Sequence, residues 1–447
     1  MPCILDYIFG LYILQGLLLA CPTCFASRSG RGRWQAEVNL RSSCVRGIML
    51  VMKKILITLS ILLVLVLATV GIVLYGRGYR FSFDNGRADL AGTGLLVATS
   101  NPDGAQVFVN GHLTTATDNT INLQPGDYEI KIFKDGYFSW QKKLKIEKGV
   151  VTKAEALLFP TAPKLESITN AGVDSPALDP SRTKIAYTVS SQTIRKNGVY
   201  ILDMTSRPIL TLQNSSRQIS DDTVSLFSKA ILSWSPDGES LIASISAQGF
   251  TANYLLGAGS FNQSPSDVTE TLTSVNSSWD KLKADRDKSL ADGLSAKLRK
   301  TVNDNFNIMS WSADETKILY RASSSATLPI IRSPRLIGAN STPEERSLEK
   351  DKIYVYDIKE DKNYKIQTPA DKDDIYLTWF PDSKHLIYLH DKKIDIMEYD
   401  GANVTKIYAG PFIDSYVFPW SDNSRIVILT NLGNSDTPPN LYTISLK

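Results

Sequence analysis

Cysteine is nearly missing from this chain of 447 residues: all four copies (Cys3, Cys21, Cys24, Cys44) fall within the first 44 positions. A scaffold stapled by disulfides is thereby excluded for everything downstream, which must be held by core packing. Histidine is almost as scarce, with only His112, His385 and His390, which leaves little material for a histidine-based metal or nucleophile site. Neither sign of charge dominates. Lys+Arg 49 against Asp+Glu 46 leaves +3, far from the basic excess of a dedicated nucleic-acid binder. No P-loop, dinucleotide fingerprint, HExxH, GxSxG or EF-hand pattern occurs. The acidic run Asp371-x-Asp373-Asp374 lacks the glycine and distal glutamate of a calcium loop and reads as a solvated loop. His385 and His390 flank the strand Leu386 to Leu389, and their offset of five places them on opposite faces. No catalytic, cofactor-binding or metal-binding residue is assigned, and no cofactor is expected. What is present, 43% hydrophobic and 21% charged residues over this length, builds real cores and two to three domains.

One long apolar run stands out. Ile55 to Tyr75 is 21 residues without a charge. As a helix rising about 1.5 Å per residue it covers about 31 Å, close to the hydrocarbon thickness of a bilayer. A cleavable signal peptide has a shorter apolar core and a small-x-small exit, whereas this run ends in Gly71-Ile-Val-Leu-Tyr75, with Tyr75 and Tyr79 suited to the interface. Before it stand Arg28, Arg31, Arg33, Arg41, Arg46, Lys53 and Lys54; after it, Arg77, Arg80 and Arg87 are fewer. The excess of cations on the N-terminal flank predicts a signal-anchor helix over 52–76, the N-terminus in the cytoplasm and the rest outside the cell membrane. Ile4 to Ala20 is apolar but carries Asp6 and no basic start, Leu18-Leu19-Ala20-Cys21 only faintly matches a lipobox, and Cys21-x-x-Cys24 has no second pair. Met52-Lys53-Lys54 reads as the ordinary start of a signal-anchored protein. Residues 1–51 are therefore read as an unstructured extension or a mis-assigned start, with a second membrane helix at 4–20 as the alternative.

After a linker at 77–92 the pattern changes to period two. Leu95 to Thr99 precedes a turn at Asn101-Pro102-Asp103-Gly104-Ala105, and Gln106 to Val109 runs into Asn110-Gly111, the dipeptide best suited to a tight hairpin. Pro125-Gly126 opens the alternating run Asp127 to Ile132, Asp135-Gly136 turns again, and Ser139 to Glu147 supplies another strand. These spacings predict a small antiparallel β-sandwich over 93–160. Four ordered blocks carry a resemblance: Pro102-Asp103-Gly104-Ala105; Val107-x-Val109-Asn110-Gly111; Leu123-x-Pro125-Gly126-x-Tyr128; and Lys134-x-Gly136-Tyr137-x-x-Trp140. Together they resemble the PEGA domain family, with Asp103 where the family usually has glutamate. The resemblance implies a binding or spacer module of envelope proteins, with no catalytic residues. Tyr137 and Trp140 have two readings, a plug for the open end of the sandwich or a platform for stacking a ligand. The lysines at 131, 134, 142, 143, 145, 148 and 153 alternate with acids, as on a solvated face, or else meet an anionic wall polymer.

The remainder, 161–447, repeats a motif. Trp234-Ser-Pro236-Asp237-Gly, Trp311-Ser-Ala-Asp314-Glu, Trp379-Phe-Pro381-Asp382-Ser and Trp420-Ser-Asp422-Asn each join two strands, and a degenerate copy reads Asp179-Pro180-Ser before Lys184 to Val189. With further strands between copies the unit is about four strands, one propeller blade. The tryptophan is expected to pack between blades, proline and glycine to set the turn, and aspartate to cap it. Five copies predict five blades, or six if one has lost its signature, with Leu165 to Thr169 closing the ring beside Leu441 to Leu446. These repeats resemble TolB-type, WD-repeat-like propellers, a resemblance that implies a platform for binding protein. An insertion is expected over 265–302. Within it Ser277 to Val302 has helical spacing of Trp279, Leu282, Leu290, Leu294 and Leu298, either as a docking helix or folded onto the propeller. The Pro/Ser-rich loop 323–346 is a further candidate contact surface.

The fold class expected is thus mainly β: one transmembrane helix, a small sandwich and a propeller with a helical insertion. The expected role is a membrane-anchored, extracytoplasmic interaction protein whose partner is an envelope protein or cell-wall polymer. It is not expected to bind nucleic acid. The alternative is an envelope hydrolase or lyase with its site in the propeller channel.

Overall fold

The computed structural model describes residues 33–76, 79–84, 87–205, 216–247, 249–367, 376–413 and 415–447. The expectations for Cys3, Cys21 and Cys24, for a helix at 4–20 and for the Asp371 cluster lie outside the described residues. Two units form, Met1–Ala91 and Gly92–Lys447.

In the first unit, α1 runs unbroken over Arg33–Gly76. Its stretch Lys53–Val73 is the one helix among the described residues long and apolar enough to cross a membrane, and Ile55, Leu63 and Ile72 on it face outward rather than into a protein core. The backbone of 33–51, expected to be unstructured, continues this helix, because no proline interrupts the chain between the two segments. The expected linker also differs: β1 (Tyr79–Asp84) and β2 (Arg87–Gly92) pair as a two-stranded sheet.

The second unit begins with a sandwich of seven strands: β3 (Gly94–Asn101), β4 (Gln106–Val109), β5 (His112–Ala116), β6 (Asn119–Leu123), β7 (Gly126–Phe133), β8 (Trp140–Ile146) and β9 (Val151–Leu157). One sheet has the order β6-β3-β9, the other β5-β4-β7-β8. Alternation along each strand delivers Leu96, Val107, Ile130, Ile132, Leu144 and Ile146 to a shared core, each worth about 1.5–3 kcal/mol of burial. The pairs are antiparallel except β3 with β9, which run parallel. After β8 the chain crosses from one sheet to the other, so β9 arrives beside β3 in the same direction.

Five four-stranded antiparallel sheets follow. Blade one is β11 (Asp174–Leu178), β12 (Lys184–Val189), β13 (Gly198–Asp203) and β14 (Ser216–Asp221); blade two is β15 (Ile231–Trp234), β16 (Ser240–Ala247), β17 (Phe250–Gly257) and β18 (Ser266–Asp267). Blade three is β19 (Phe306–Trp311), β20 (Lys317–Ala322), β23 (Ile353–Asp357) and β24 (Lys362–Lys365), with the short pair β21 (Ala326–Thr327) and β22 (Ser347–Leu348) inserted. Blade four is β25 (Tyr376–Trp379), β26 (His385–His390), β27 (Lys393–Glu398) and β28 (Thr405–Ala409). Blade five takes β29 (Val417–Pro419), β30 (Arg425–Thr430) and β31 (Asn440–Ser445) from the end of the chain, and β10 (Leu165–Ser167) from the start of the propeller. The pairing of β10 with β31, Leu165 opposite Ile444, closes the ring as the sequence predicts, and the described residues form five blades.

Shared apolar clusters join blades one and two, three and four, four and five, and five and one. Blade three's other face is covered differently. The insertion between blades two and three folds as α2 (Leu272–Asp292) and α3 (Ala296–Asn305), and Leu298 and Val302 of α3 pack on Phe306, Ile318 and Tyr320. The single helical stretch expected over 277–302 is therefore two helices. It breaks after Gly293, a poor helix residue, and restarts where the Ser295 hydroxyl accepts from Leu298 N. Of the two, α3 folds onto the propeller, as one of the expected readings had it, whereas α2 buries none of its residues.

Candidate functional site

The five turns that join the first two strands of each blade are built alike. Asp179 N donates to Lys184 O, Ser235 N to Ser240 O, Ser312 N to Lys317 O, Phe380 N to His385 O and Trp420 N to Arg425 O, all at 2.9–3.0 Å. Three residues on, each turn enters the left-handed region, at Arg182 (φ 60), Gly238 (φ 71), Glu315 (φ 58), Ser383 (φ 59) and Asn423 (φ 63). These bonds align the repeats residue by residue. Trp234, Trp311 and Trp379 are equivalent, but Trp420 falls one place later, where the other blades have Ser235, Ser312 and Phe380. Asp179 also occupies that place, and Ser181 takes the position of Asp237. The carboxylates cap turns throughout. Asp237 accepts from Glu239 N, Asp314 from Thr316 N, Asp382 from Lys384 N and Asp422 from Ser424 N, and Asp179 from Thr183 N and Lys184 N at 2.6 Å. The Ser235 hydroxyl and the Glu239 amide hold the Asp237 carboxyl below the usual carboxylate range. Pro180 is exposed, while Pro236 and Pro381 are half-buried in the turns.

The motif residues of the sandwich also take structural places. Asn110 and Gly111 both have positive φ, 49° and 81°, which suits a tight turn between β4 and β5. Ala105 is fully buried and donates its N–H to the Thr117 hydroxyl, while Asp103 offers its carbonyl to Lys134. Pro102 and Gly104 complete that turn, Pro125 and Gly126 lead into β7, and Gly136 (φ 80) turns before β8. Tyr128 and Tyr137 pack half-buried against the sandwich core. Trp140 has a role that neither reading of the sequence contained. It is buried where the sandwich meets blade four, and its indole N–H donates to Glu398 Oε1 at 2.5 Å.

That meeting place holds a buried, extensively hydrogen-bonded polar cluster. Lys142, two residues along β8, sends its ammonium to Glu398 Oε2 at 2.6 Å and to Asp400 Oδ2 at 2.5 Å, with side-chain exposures of 11%, 10% and 0%. Asp400 also accepts from Asn340 Nδ2 at 2.7 Å and from the Thr342 hydroxyl at 2.6 Å. Asn403 donates to Glu398 and accepts from Gln141 N. Burial alone would lower the Lys142 pKa, but Glu398 and Asp400 outweigh it and hold it above the ordinary lysine value. Burial would raise Asp400, but Lys142, Thr342 and Asn340 hold its carboxyl below the usual range. Around this pair, Phe159 enters the core shared by blades four and five, and Lys384 pairs with Glu155 at the more exposed rim. Sequence reading missed Glu398, Asp400 and Asn403, whereas Lys142 lay on a recognised pattern and Asn340 and Thr342 within the loop 323–346 flagged from its composition.

Beside the clamp lies a cleft of about 820 Å³ between β8 and the loop Arg335–Pro343, part of the loop flagged from its composition. His385 and His390 are each engaged by carboxylate, His385 Nδ1 with Asp382 at 2.6 Å and His390 Nε2 with Asp395 at 2.8 Å. Among the described residues no group of three or more His, Cys, Asp or Glu is placed to hold a metal.

The class of protein follows from the strand order: a small sandwich joined to a five-bladed, ring-closed propeller. Residues 93–161 match the PEGA domain family. Comparison with curated proteins found no match. Among solved structures the chain is similar to TolB of Acinetobacter baumannii, at 13% identity and a TM-score of 0.23, over 76% of this chain and 80% of that one. It is also similar to a protein described as TolB from Agrobacterium tumefaciens, at 15% identity and 0.21, over 62% and 74%. A prolyl endopeptidase is similar at 11% and 0.23, over 77% of this chain and 48% of that one. The propeller assignment stands on the strand pairing described above, to which these distant likenesses add nothing.

Proposed function

We propose that this chain is a membrane-anchored interaction protein of the cell envelope, which carries the PEGA sandwich and the propeller outside the membrane as one clamped block. The observation that carries the reading is the joining of one apolar span, Lys53–Val73, to a block whose sandwich and ring are locked by Trp140, Lys142, Glu398 and Asp400. The block offers a partner one continuous surface, and the cations on the N-terminal flank of the span favour export of everything after it. A protein or a wall polymer is the ligand class that this layout suits. The hydrolase alternative has no constellation among the described residues to favour it.

Fractionation tests the anchor. The full chain should sediment with membranes after lysis and leave the pellet only in detergent. Arginine at the centre of a spanning helix costs about 2.5–3.5 kcal/mol per residue, so the double variant Leu63→Arg, Val66→Arg should move most of the protein to the supernatant. Protease added after opening the outer layer of intact cells should digest the sandwich and propeller. Wild-type protein in the supernatant without detergent, or a protected block, overturns the reading.

A further inference from the structure

The sandwich meets the propeller through a strand that has no neighbour on one side. In the order β5-β4-β7-β8, β8 is an edge, and its odd-numbered residues turn their backbone groups away from β7. The bonds that Gln141 N and Lys145 N make establish this direction: they go not to another strand but to Asn403 Oδ1 at 3.0 Å and to the Ser341 hydroxyl at 2.9 Å. Two propeller side chains thus stand in for the carbonyls of a missing strand. Between them, by the period of two, Lys143 turns both its N–H and its C=O to the same side. Among the described residues these two groups find no partner. An unprotected edge of this kind is a template for pairing, and here it forms one wall of the cleft of about 820 Å³, a size within the range of ordinary ligand sites.

The charge of the cleft selects what it takes. Its lining carries Lys142, Lys143, Lys145, Arg335 and Lys362 against Asp127 and Glu147. Lys142 is already neutralised from behind by Glu398 and Asp400, and Arg335 pairs with Glu344 at 2.7 Å. Lys145 has only a loose, solvent-exposed contact with Glu147 at 3.6 Å. Among the described residues Lys143 has no acidic partner within salt-bridge distance, and its cross-strand neighbour Glu129 is engaged by Gln141. On the opposite wall Leu336 is exposed.

We propose that this cleft binds an extended acidic segment of a partner protein, added to the sheet as a strand along β8. The stretch open between the Asn403 and Ser341 caps, residues 142–144, is two rises of about 3.4 Å, or about 7 Å, which accepts two to three residues in strand register around Lys143. Main-chain bonds to Lys143 supply the pairing, carboxylates placed opposite Lys143 and Lys145 supply the cross-strand charge pairs, and an apolar residue of the segment meets Leu336. The proposal rests on the reading of the chain as an interaction protein and names the surface and the kind of partner.

The test uses the detergent-purified full chain and a fluorescein-labelled ten-residue peptide of alternating valine and glutamate, followed by anisotropy. Saturable binding that weakens with added salt is expected. A peptide with lysine in place of glutamate should bind at least tenfold more weakly. So should a valine–glutamate peptide N-methylated at every residue, which keeps its charge but has no N–H on either edge to donate to a strand. Lys143→Glu should weaken the parent peptide about tenfold with an unchanged melting temperature, and Lys143→Gln about threefold. No binding by the parent peptide, or equal binding by the N-methylated one, overturns the proposal. Neither outcome bears on the membrane anchor, which fractionation decides by itself.

Discussion

Lys142→Ala is expected to destabilise the second unit by about 3–5 kcal/mol, the cost of leaving buried charge uncompensated. The variant removes the only ammonium among the described residues that touches both Glu398 and Asp400, whose side chains are 10% and 0% exposed. Two carboxylates then share a dry site with only neutral donors, among them the Trp140 indole, two side-chain amides and a hydroxyl. Urea unfolding followed by hydrogen exchange should show the loss first along β8, where protection depends on the clamp. The triple variant Lys142→Met, Glu398→Gln, Asp400→Asn should recover most of the loss, because it removes the charges along with their counter-charge. If the single variant costs less than about 1 kcal/mol, a figure typical of surface pairs, the clamp does not hold the two modules together.

The same site sets a pH dependence of opposite sign at its two ends. Asp400 is held low in the folded state. Its contribution is complete above the unfolded value of about 3.9 and is lost as pH falls through the lower folded value. Lys142 is held high. Its contribution is complete below about 10.4 and is lost as pH rises through the higher folded value. The wild-type clamp should therefore be insensitive to pH between about 5 and 9. In Lys142→Ala, by contrast, mild acid should narrow the deficit, since the buried Asp400 carboxyl takes up a proton more readily once Lys142 no longer offsets its burial.

Much of this architecture was legible because it depends on neighbours in sequence. Period-two alternation gave the strands of the sandwich, Asn110-Gly111 gave a turn that needs two positive φ values, and the recurring aspartate gave the blade turns. The closure of the ring by Leu165 and its neighbours was legible for another reason: five recurrences leave a spare strand at each end. The clamp was not. Glu398 and Asp400 lie more than 250 residues from Lys142, and an isolated Lys, Glu or Asp on a strand looks like solvated surface until the fold brings them together. Trp140 misled for the same reason, because its indole partner belongs to another module. The parallel entry of β9 was hidden too, since strand direction depends on which sheet the chain crosses to, and the alternation of a strand does not encode that.

The tryptophans of the blade motif carry the last expectation, which separates a repeat in sequence from a repeat in packing. Trp379 is fully buried in the cluster shared by blades three and four, and its indole N–H points to Ser310 O at 3.4 Å on the inner strand of blade three. Trp234 makes the same reach from blade two to Ala177 O at 2.9 Å. Trp311 holds the equivalent position in blade three, but the cluster it joins is completed by α3 rather than by blade two, and it remains half-buried there. Trp379→Ala should therefore cost about 3–5 kcal/mol, the range for emptying a filled core site of an aromatic ring. Trp311→Ala should cost no more than about half as much, because a partly solvated ring gives up less buried area and leaves a site that water can enter. Urea midpoints with unchanged slopes measure both. Equal losses at the two positions would mean that the interface at Trp311 is as dry as a blade–blade contact, and that α3 seals the ring between blades two and three as completely as a neighbouring blade seals the others.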